Sequence, residues 1–223
     1  LAWDYIISPV SQVGQAIVNT LVIGIIVTLL SILVGVPAAR VLARREFKGK
    51  PLVEFFLLTP LIVPGIAISL GLVVIFIRIR LIDTMTGVIL SHLVGTVPYM
   101  VRILTSVFAG LSPEYEEQAR ALGASPLKSF VFVTMPMVLP GIIAGSLFAF
   151  LISVNTFLQT FFIGGGRIVT LPTVLFNFIG QGGGSNIPVA AGVTLILSLP
   201  GFLFLLLTER YIKEEQFAQG FGG

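Results

Sequence analysis

Residues 114–140 read EYEEQARALGASPLKSFVFVTMPMVLP, the one long stretch of this chain that mixes acids, bases and small residues, set between segments apolar enough for a membrane. Ser112 and Pro113 form an N-cap and first-turn pair, and Glu114, Glu116 and Glu117 put negative charge in the first turn, where the helix dipole favours it. A short helix is expected to begin there. Tyr115, Ala119 and Leu122 fall at i, i+4 and i+7 as one apolar stripe, whereas Glu116 and Arg120 pair on a different face. Gly123 supplies the left-handed residue that closes a helix, and Ser125-Pro126 offers a second N-cap and first residue. The expected form is helix, glycine elbow, helix. In the second piece Leu127, Phe130, Val131 and Thr134 share a face expected to pack back under the membrane domain. The same residues also fit an ordinary cytoplasmic loop with two amphipathic turns.

Composition sets the surroundings of this stretch. The chain has 223 residues, 56% hydrophobic and 10% charged, with a mean hydropathy of +1.05, far from the make-up of a soluble domain. It reads as an integral membrane protein. With no cysteine, disulfides and thiolate metal sites are excluded. A pI near 9.5 points to topology rather than nucleic acid, because Lys and Arg sit in loops between apolar spans. The opening LAWDYIISPVSQ lacks the basic region of a cleavable signal peptide.

Five apolar spans of about twenty residues or more are predicted as helices, at Ala16–Ala39, Leu52–Ile77, Thr86–Phe108, Pro136–Ile163 and Ile187–Thr208. Spans of this kind satisfy their own backbone hydrogen bonds. Arg40, Arg44, Arg45, Lys48 and Lys50 follow the first span, Arg120 and Lys128 lie in the quoted stretch, and Arg210 and Lys213 follow the last. Arg78, Arg80 and Arg167 fall on the other side. The positive-inside bias therefore places the elbow in the cytoplasm and Leu1 outside. The predicted organisation is an external segment at 1–15, a transmembrane domain at 16–208 with a cytoplasmic loop at 109–135 and an external Gly-rich loop at 164–186, and a cytoplasmic tail at 209–223.

Glu117, Ala119, Gly123, Val133 and Pro136 stand at the spacing of a known signature, E-A-A followed by G and then I-x-L-P. By it the chain resembles the permease subunits of bacterial ATP-binding-cassette importers with the type I fold, most nearly the spermidine/putrescine-type group. Gln118 departs from the signature where a second small residue is expected, and Val133 and Met135 replace Ile and Leu. The resemblance covers essentially the whole chain. It implies an all-α membrane domain of about five spanning helices here and six in a whole subunit, so that a first helix is expected ahead of Leu1. It also implies that Glu116, Glu117, Ala119, Arg120, Leu122, Gly123, Ala124 and Ser125 couple the chain to an ATPase. The partners implied are a homologous second permease, two ATPase subunits that carry ATP and Mg, an external solute-binding protein and membrane lipid. The implied location is the bacterial inner membrane.

Ionisable groups inside the spans are few, and each is a functional candidate. Arg102, near the cytoplasmic end of its span, is expected to snorkel to the headgroups. His92, the only histidine, is expected to hydrogen-bond a neighbouring helix; a proton relay needs an acid, and the spans offer only Glu54 at a boundary. Pro60, Pro64, Gly65, Pro98 and Pro200 are expected to break or kink helices. Gly141-x-x-x-Gly145 reads as a close helix contact. Ser153, Asn155, Thr156, Gln159 and Thr160, interleaved with Phe157, Phe161 and Phe162, fit either a solute path or interhelical hydrogen bonds. In polyamine-type relatives this region often carries acids, and here Asn155 stands instead.

The triple glycines 164–166 and 182–184 are not followed by Lys and Ser or Thr, so no ATP-binding P-loop is present. They are expected to hinge a short external helix at Pro172–Ile179, which in the family helps form the platform for the binding protein. The expected function is inward movement of a small solute, polyamine by the resemblance, by ATP-driven alternating access, with no catalysis or cofactor in this chain. Ferric iron, a phosphonate or another small organic solute are the alternatives. A self-sufficient secondary transporter or channel, and a scaffold without transport, are the rival classes; few buried acids and no inverted internal repeat weigh against the first.

Overall fold

The computed structural model describes residues 2–180 and 186–220, and their side chains except at 180, 204, 205 and 207–220. Leu1, the second glycine triplet at 182–184 and the cationic side chains of Arg210 and Lys213 lie outside the described residues. The elements are α1 (Ala2–Ile7), a 3₁₀ turn (Pro9–Ser11), α2 (Val13–Arg44), α3 (Lys50–Ile62), α4 (Gly65–Arg78), α5 (Met85–Gly110), α6 (Glu114–Ala121), α7 (Pro126–Ser129), a π turn (Phe130–Thr134), α8 (Met135–Asn155), α9 (Leu158–Gly164), α10 (Leu171–Gly180) and α11 (Ile187–Gly220). No strand occurs among the described residues, in keeping with the predicted all-α class.

Among the described residues three helical runs are long and apolar enough to cross a membrane: α2, α5 and the continuous Pro126–Asn155. The first and third predicted spans match α2 and α5. The second does not form as one helix, because α3 and α4 meet at 108°. Pro64 has no N–H to donate and crowds the residue before it, and Val63 is extended at φ −70°, ψ 134°. The fourth predicted span is also too long. Its helix ends at Asn155, Thr156 is extended at ψ 108°, and α9 follows as a separate short helix. Pro64 breaks its span, as expected of it; Pro60, Pro98 and Pro200 lie inside continuous helices. Tertiary packing, such as that around buried Pro98, holds the chain helical where one ladder bond is missing.

The chain forms two compact units. The larger, residues 21–168, is organised on α5. Val36, Ala39 and Leu42 of α2, Met100, Leu104 and Phe108 of α5, and Val138, Ile142 and Ala149 of α8 form its main core. Small residues set how closely these helices approach. A Cβ on Gly141 would lie 2.6 Å from Val107, and one on Gly145 2.7 Å from the Met100 sulfur, so the predicted close contact is the α5–α8 seam. In lipid such packing replaces the hydrophobic drive available in water.

The smaller unit comprises residues 1–20 and 169–223. Ile6, Val13, Ala16, Val169, Leu171, Val174, Val189 and Val193 form its core. Asn19 Nδ2 donates to the Val169 carbonyl at 2.8 Å and the Leu171 N–H donates to Thr20 Oγ1 at 2.9 Å, which ties the first turns of α2 to the start of α10. The short helix expected at Pro172–Ile179 is α10.

Candidate functional site: the elbow and the broken helices

The elbow is built by local capping. Ser112 Oγ accepts from the Glu114 N–H at 3.3 Å as α6 begins, with Pro113 in the cap position. At the far end the Gly123 N–H donates to the Arg120 carbonyl at 2.9 Å and the Ala124 N–H to the Ala119 carbonyl at 3.0 Å. These are the two bonds of a Schellman closure, and Gly123 supplies its left-handed residue at φ +90°. Ser125 Oγ then accepts from the Lys128 N–H at 3.4 Å to start α7.

Glu116 anchors α6 from within. Its carboxylate accepts from Arg40 Nη2 at 2.9 Å and from Thr134 Oγ1 at 2.7 Å, with Arg120 at 3.5 Å. Ser129 Oγ donates to the Glu116 carbonyl at 3.3 Å, and the Arg40 guanidinium lies 4.3 Å from the centre of the Phe130 ring. Burial pushes the Glu116 carboxyl pKa upward, but the Thr134 hydrogen bond and the charges of Arg40 and Arg120 outweigh burial and hold it below its ordinary value. The anchor thus joins α6 and the π turn to α2, with Arg40 and Glu116 76 residues apart in sequence.

The shared face expected for Leu127, Phe130, Val131 and Thr134 does not form. Phe130 and Thr134 turn inward, while Leu127 and Val131 are 72% and 44% exposed. In the π turn the Met135 N–H reaches back to the Phe130 carbonyl, which adds a residue to the turn and rotates the helix phase. Ser129 takes the inward position instead. The outer side carries Tyr115, Leu122 and Leu127, with Leu122 90% exposed. Of the other residues assigned to coupling, Glu117, Arg120, Gly123 and Ser125 are exposed, and Ala119 and Ala124 are half-buried.

A second cluster of polar groups lies among the membrane helices. His92 of α5 is buried, its Nδ1 2.9 Å from Ser153 Oγ on α8 and its Nε2 2.9 Å from Thr160 Oγ1 on α9. The tautomer protonated at Nε2 satisfies the whole set: Ser153 donates to Nδ1, Nε2–H donates to Thr160, and Thr160 donates to the Thr156 carbonyl at 3.2 Å. Thr96 Oγ1 donates to the His92 carbonyl at 3.1 Å, and Ser31 of α2 donates to Thr96 at 2.9 Å. His92 therefore bonds neighbouring helices as expected, on both sides of the break between α8 and α9.

The residues assigned to a solute path divide accordingly. Ser153 and Thr160 are buried between helices. Asn155 is exposed, and its Nδ2 donates to the Leu151 carbonyl of its own helix at 2.8 Å. Thr156 and Gln159 are half-buried, Thr156 donating to the Ile152 carbonyl at 2.7 Å. Phe157 is half-buried, its ring 5.2 Å from that of the exposed Phe161. Arg102 is exposed and, with Glu54, Thr105 and Ser106, lines a cavity of about 240 Å³. Arg40, Thr134 and the Ser153–His92–Thr160 connection are the parts the sequence did not disclose as a site. An arginine at the end of an apolar span and hydroxyls inside apolar runs were the only signals.

A helical membrane domain with broken spans and a capped elbow between them has the form of a transporter's permease domain. Residues 31–213 match the family described as binding-protein-dependent transport system inner membrane component, and the chain belongs to that family. The putrescine transport system permease protein PotI of Escherichia coli (strain K12) is 31% identical over 192 residues, covering 82% of this chain and 68% of PotI. The molybdenum transport system permease protein ModB of the same strain is 31% identical over 211 residues, covering 87% of this chain and 91% of ModB. An inward-facing structure of the MetNI methionine ABC transporter shares the fold, with a TM-score of 0.72 at 18% identity over 90% of this chain and 94% of that one. The relatives are permeases named for different solutes, so the family is established and the polyamine-type group within it is not singled out.

Proposed function

We propose that this chain is the membrane-spanning subunit of an ATP-binding-cassette importer and that its elbow transmits ATP-driven closure of two separate ATPase subunits to the helices. A homologous second permease and an external solute-binding protein complete the assembly, in a bacterial inner membrane with the elbow on the cytoplasmic side. ATP and Mg belong to the ATPase subunits, and this chain performs no covalent chemistry. The observation that carries the reading is the construction of the elbow. Caps and Glu116 hold it rigid on its inner side, while Tyr115, Leu122 and Leu127 are left exposed on its outer side. A push on that outer face reaches α2 through Arg40 and α8 through the π turn.

Alternating access then reopens the helices outward, and solute enters a path at the break between α8 and α9, where Asn155, Thr156, Phe157 and Gln159 offer uncharged polar groups and an aromatic ring. Polyamine is the solute proposed from the resemblance and from the likeness to PotI; the path residues carry no acid, which weakens that choice and leaves room for the trehalose and molybdate named for other relatives. The test is uptake and ATP hydrolysis by the complete complex in vesicles. Gly123→Pro replaces φ +90° with a ring fixed near −65°, and is expected to abolish uptake while the subunit still inserts and ATP is still hydrolysed. Wild-type uptake by Gly123→Pro would overturn the coupling role.

A further inference from the structure

The inner side of the elbow and the end of α2 enclose a cleft of about 470 Å³. Arg40, Arg44, Arg45 and Arg120 line it, against the two carboxylates of Glu116 and Glu117. Glu116 already engages Arg40 and Arg120. Among the described residues neither Arg44 nor Arg45 has a carboxylate within 4.0 Å. The cleft therefore holds guanidinium charge in excess of its acids, in a space large enough for a small anionic group.

Two geometric facts identify what fits there. At about 100° per residue, Pro113, Glu116, Glu117 and Arg120 fall within one arc of roughly 100° on α6, and Tyr115 and Leu122 lie on the opposite side. A protein docked on the apolar side leaves the cleft side facing the membrane domain. Arg44 lies five residues beyond Ala39, about 7.5 Å further along α2 at 1.5 Å per residue. With the apolar span ending at Ala39, as its hydropathy predicts, that reaches the headgroup layer, about 5–7.5 Å thick on each side of the hydrocarbon core. Guanidinium groups match phosphate oxygens in paired hydrogen bonds.

We propose that this cleft binds the phosphodiester headgroup of an anionic phospholipid from the cytoplasmic leaflet, Arg44 and Arg45 holding the phosphate against Arg120. Because the arginines come from both α2 and α6, the bound headgroup tightens the elbow on its helix. The assignment rests on the cytoplasmic placement of the elbow in the proposed function, and lipid retention, measured on the permease alone, tests it apart from coupling.

The experiment uses the full chain in nanodiscs of phosphatidylcholine with a graded fraction of phosphatidylglycerol, and native mass spectrometry of the retained lipid after transfer to detergent. Preferential retention of phosphatidylglycerol is expected, reduced about fivefold by Arg45→Gln and about thirtyfold by Arg44→Gln with Arg45→Gln, at about 1 kcal/mol per arginine near an anionic surface. If the double variant does not assemble, exposed Arg45→Gln alone decides. Equal retention by wild type and Arg45→Gln would overturn the proposal. So would displacement of the lipid by millimolar inorganic phosphate, which makes the ligand a free anion, or by the ATPase subunits, which makes the cleft a protein contact.

Discussion

Replacing Glu116 with alanine removes the one acid that ties the elbow to α2 and the π turn. The carboxylate is 18% exposed and the Arg40 side chain 32%, so their bond is only partly screened, and with the Thr134 hydrogen bond it contributes about 2 kcal/mol. Arg120 is 48% exposed and adds a few tenths of a kcal/mol at most. A loss of about 2 kcal/mol raises the population of the lifted elbow about thirtyfold. Hydrogen exchange of the peptide spanning residues 114–124 measures that population directly. Exchange is expected to quicken about thirtyfold in Glu116→Ala. Glu116→Gln keeps an acceptor for Thr134 but loses the charge, and about fivefold is expected. Glu117→Ala, which removes an exposed side chain, is expected to match wild type. The pH dependence follows from the lowered pKa of Glu116 in the folded elbow. The lifted elbow takes up the proton more readily, so the anchor is present in full above the ordinary value of 4.5 and is lost as pH falls through the lower folded value. Equal exchange in Glu116→Ala and Glu117→Ala, or exchange indifferent to acid in wild type, would refute the anchoring role.

Four other changes test the membrane helices. His92→Leu removes hydrogen bonds to both Ser153 and Thr160 and is expected to cost about 1–3 kcal/mol, read as a lowered midpoint of thermal unfolding in nanodiscs; an unchanged midpoint would show that the bridge across the α8–α9 break carries no stability. Gly141→Ala drives a methyl against Val107 and is expected to cost about 1–3 kcal/mol, whereas Gly71→Ala, with open space around it, is expected to be neutral or slightly stabilising. Asn155→Leu removes an exposed amide bonded only to its own helix, so uptake is expected to fall while the unfolding midpoint holds. A destabilised variant whose assembled fraction transports normally would remove Asn155 from the path.

Local chemistry was legible in the sequence because it is written in neighbouring residues. Ser112, Pro113, Gly123 and Ser125 fixed the ends of α6 and α7, and the Glu116–Arg120 pair stood at i, i+4. What was not legible lay in long-range partners and in departures from regular helices. The bond between Arg40 and Glu116 joins residues 76 apart, and the histidine bridge spans 61 and 68 residues. No periodicity carries that information. Hydropathy predicts one continuous span at Leu52–Ile77 because it does not see the missing N–H of Pro64, the residue at which the helix breaks. The span ending at Ile163 ran too long for a similar reason: Thr156 and Phe157 are apolar enough to continue a hydropathy window, and only the backbone shows the turn.

The misread face after Ser125 follows from the assumption of 3.6 residues per turn. Five residues of π turn move every later side chain around the axis, so that Thr134 meets Glu116 and Leu127 faces away. The consequence is an inverted amphipathic element. In α6 an acid points inward to fixed donors, and the leucine that caps its end is 90% exposed. A short helix settling on its own domain in water would bury Leu122 and solvate Glu116. Here the hydrogen bonds from Arg40, Thr134 and Ser129 hold the opposite arrangement, at the cost of apolar surface left in solvent. An element held in that orientation recovers the cost when a partner covers Tyr115, Leu122 and Leu127. On the proposed coupling role the inward charges and the outward apolar residues are one device, the first fixing the lever and the second giving a partner something to grip.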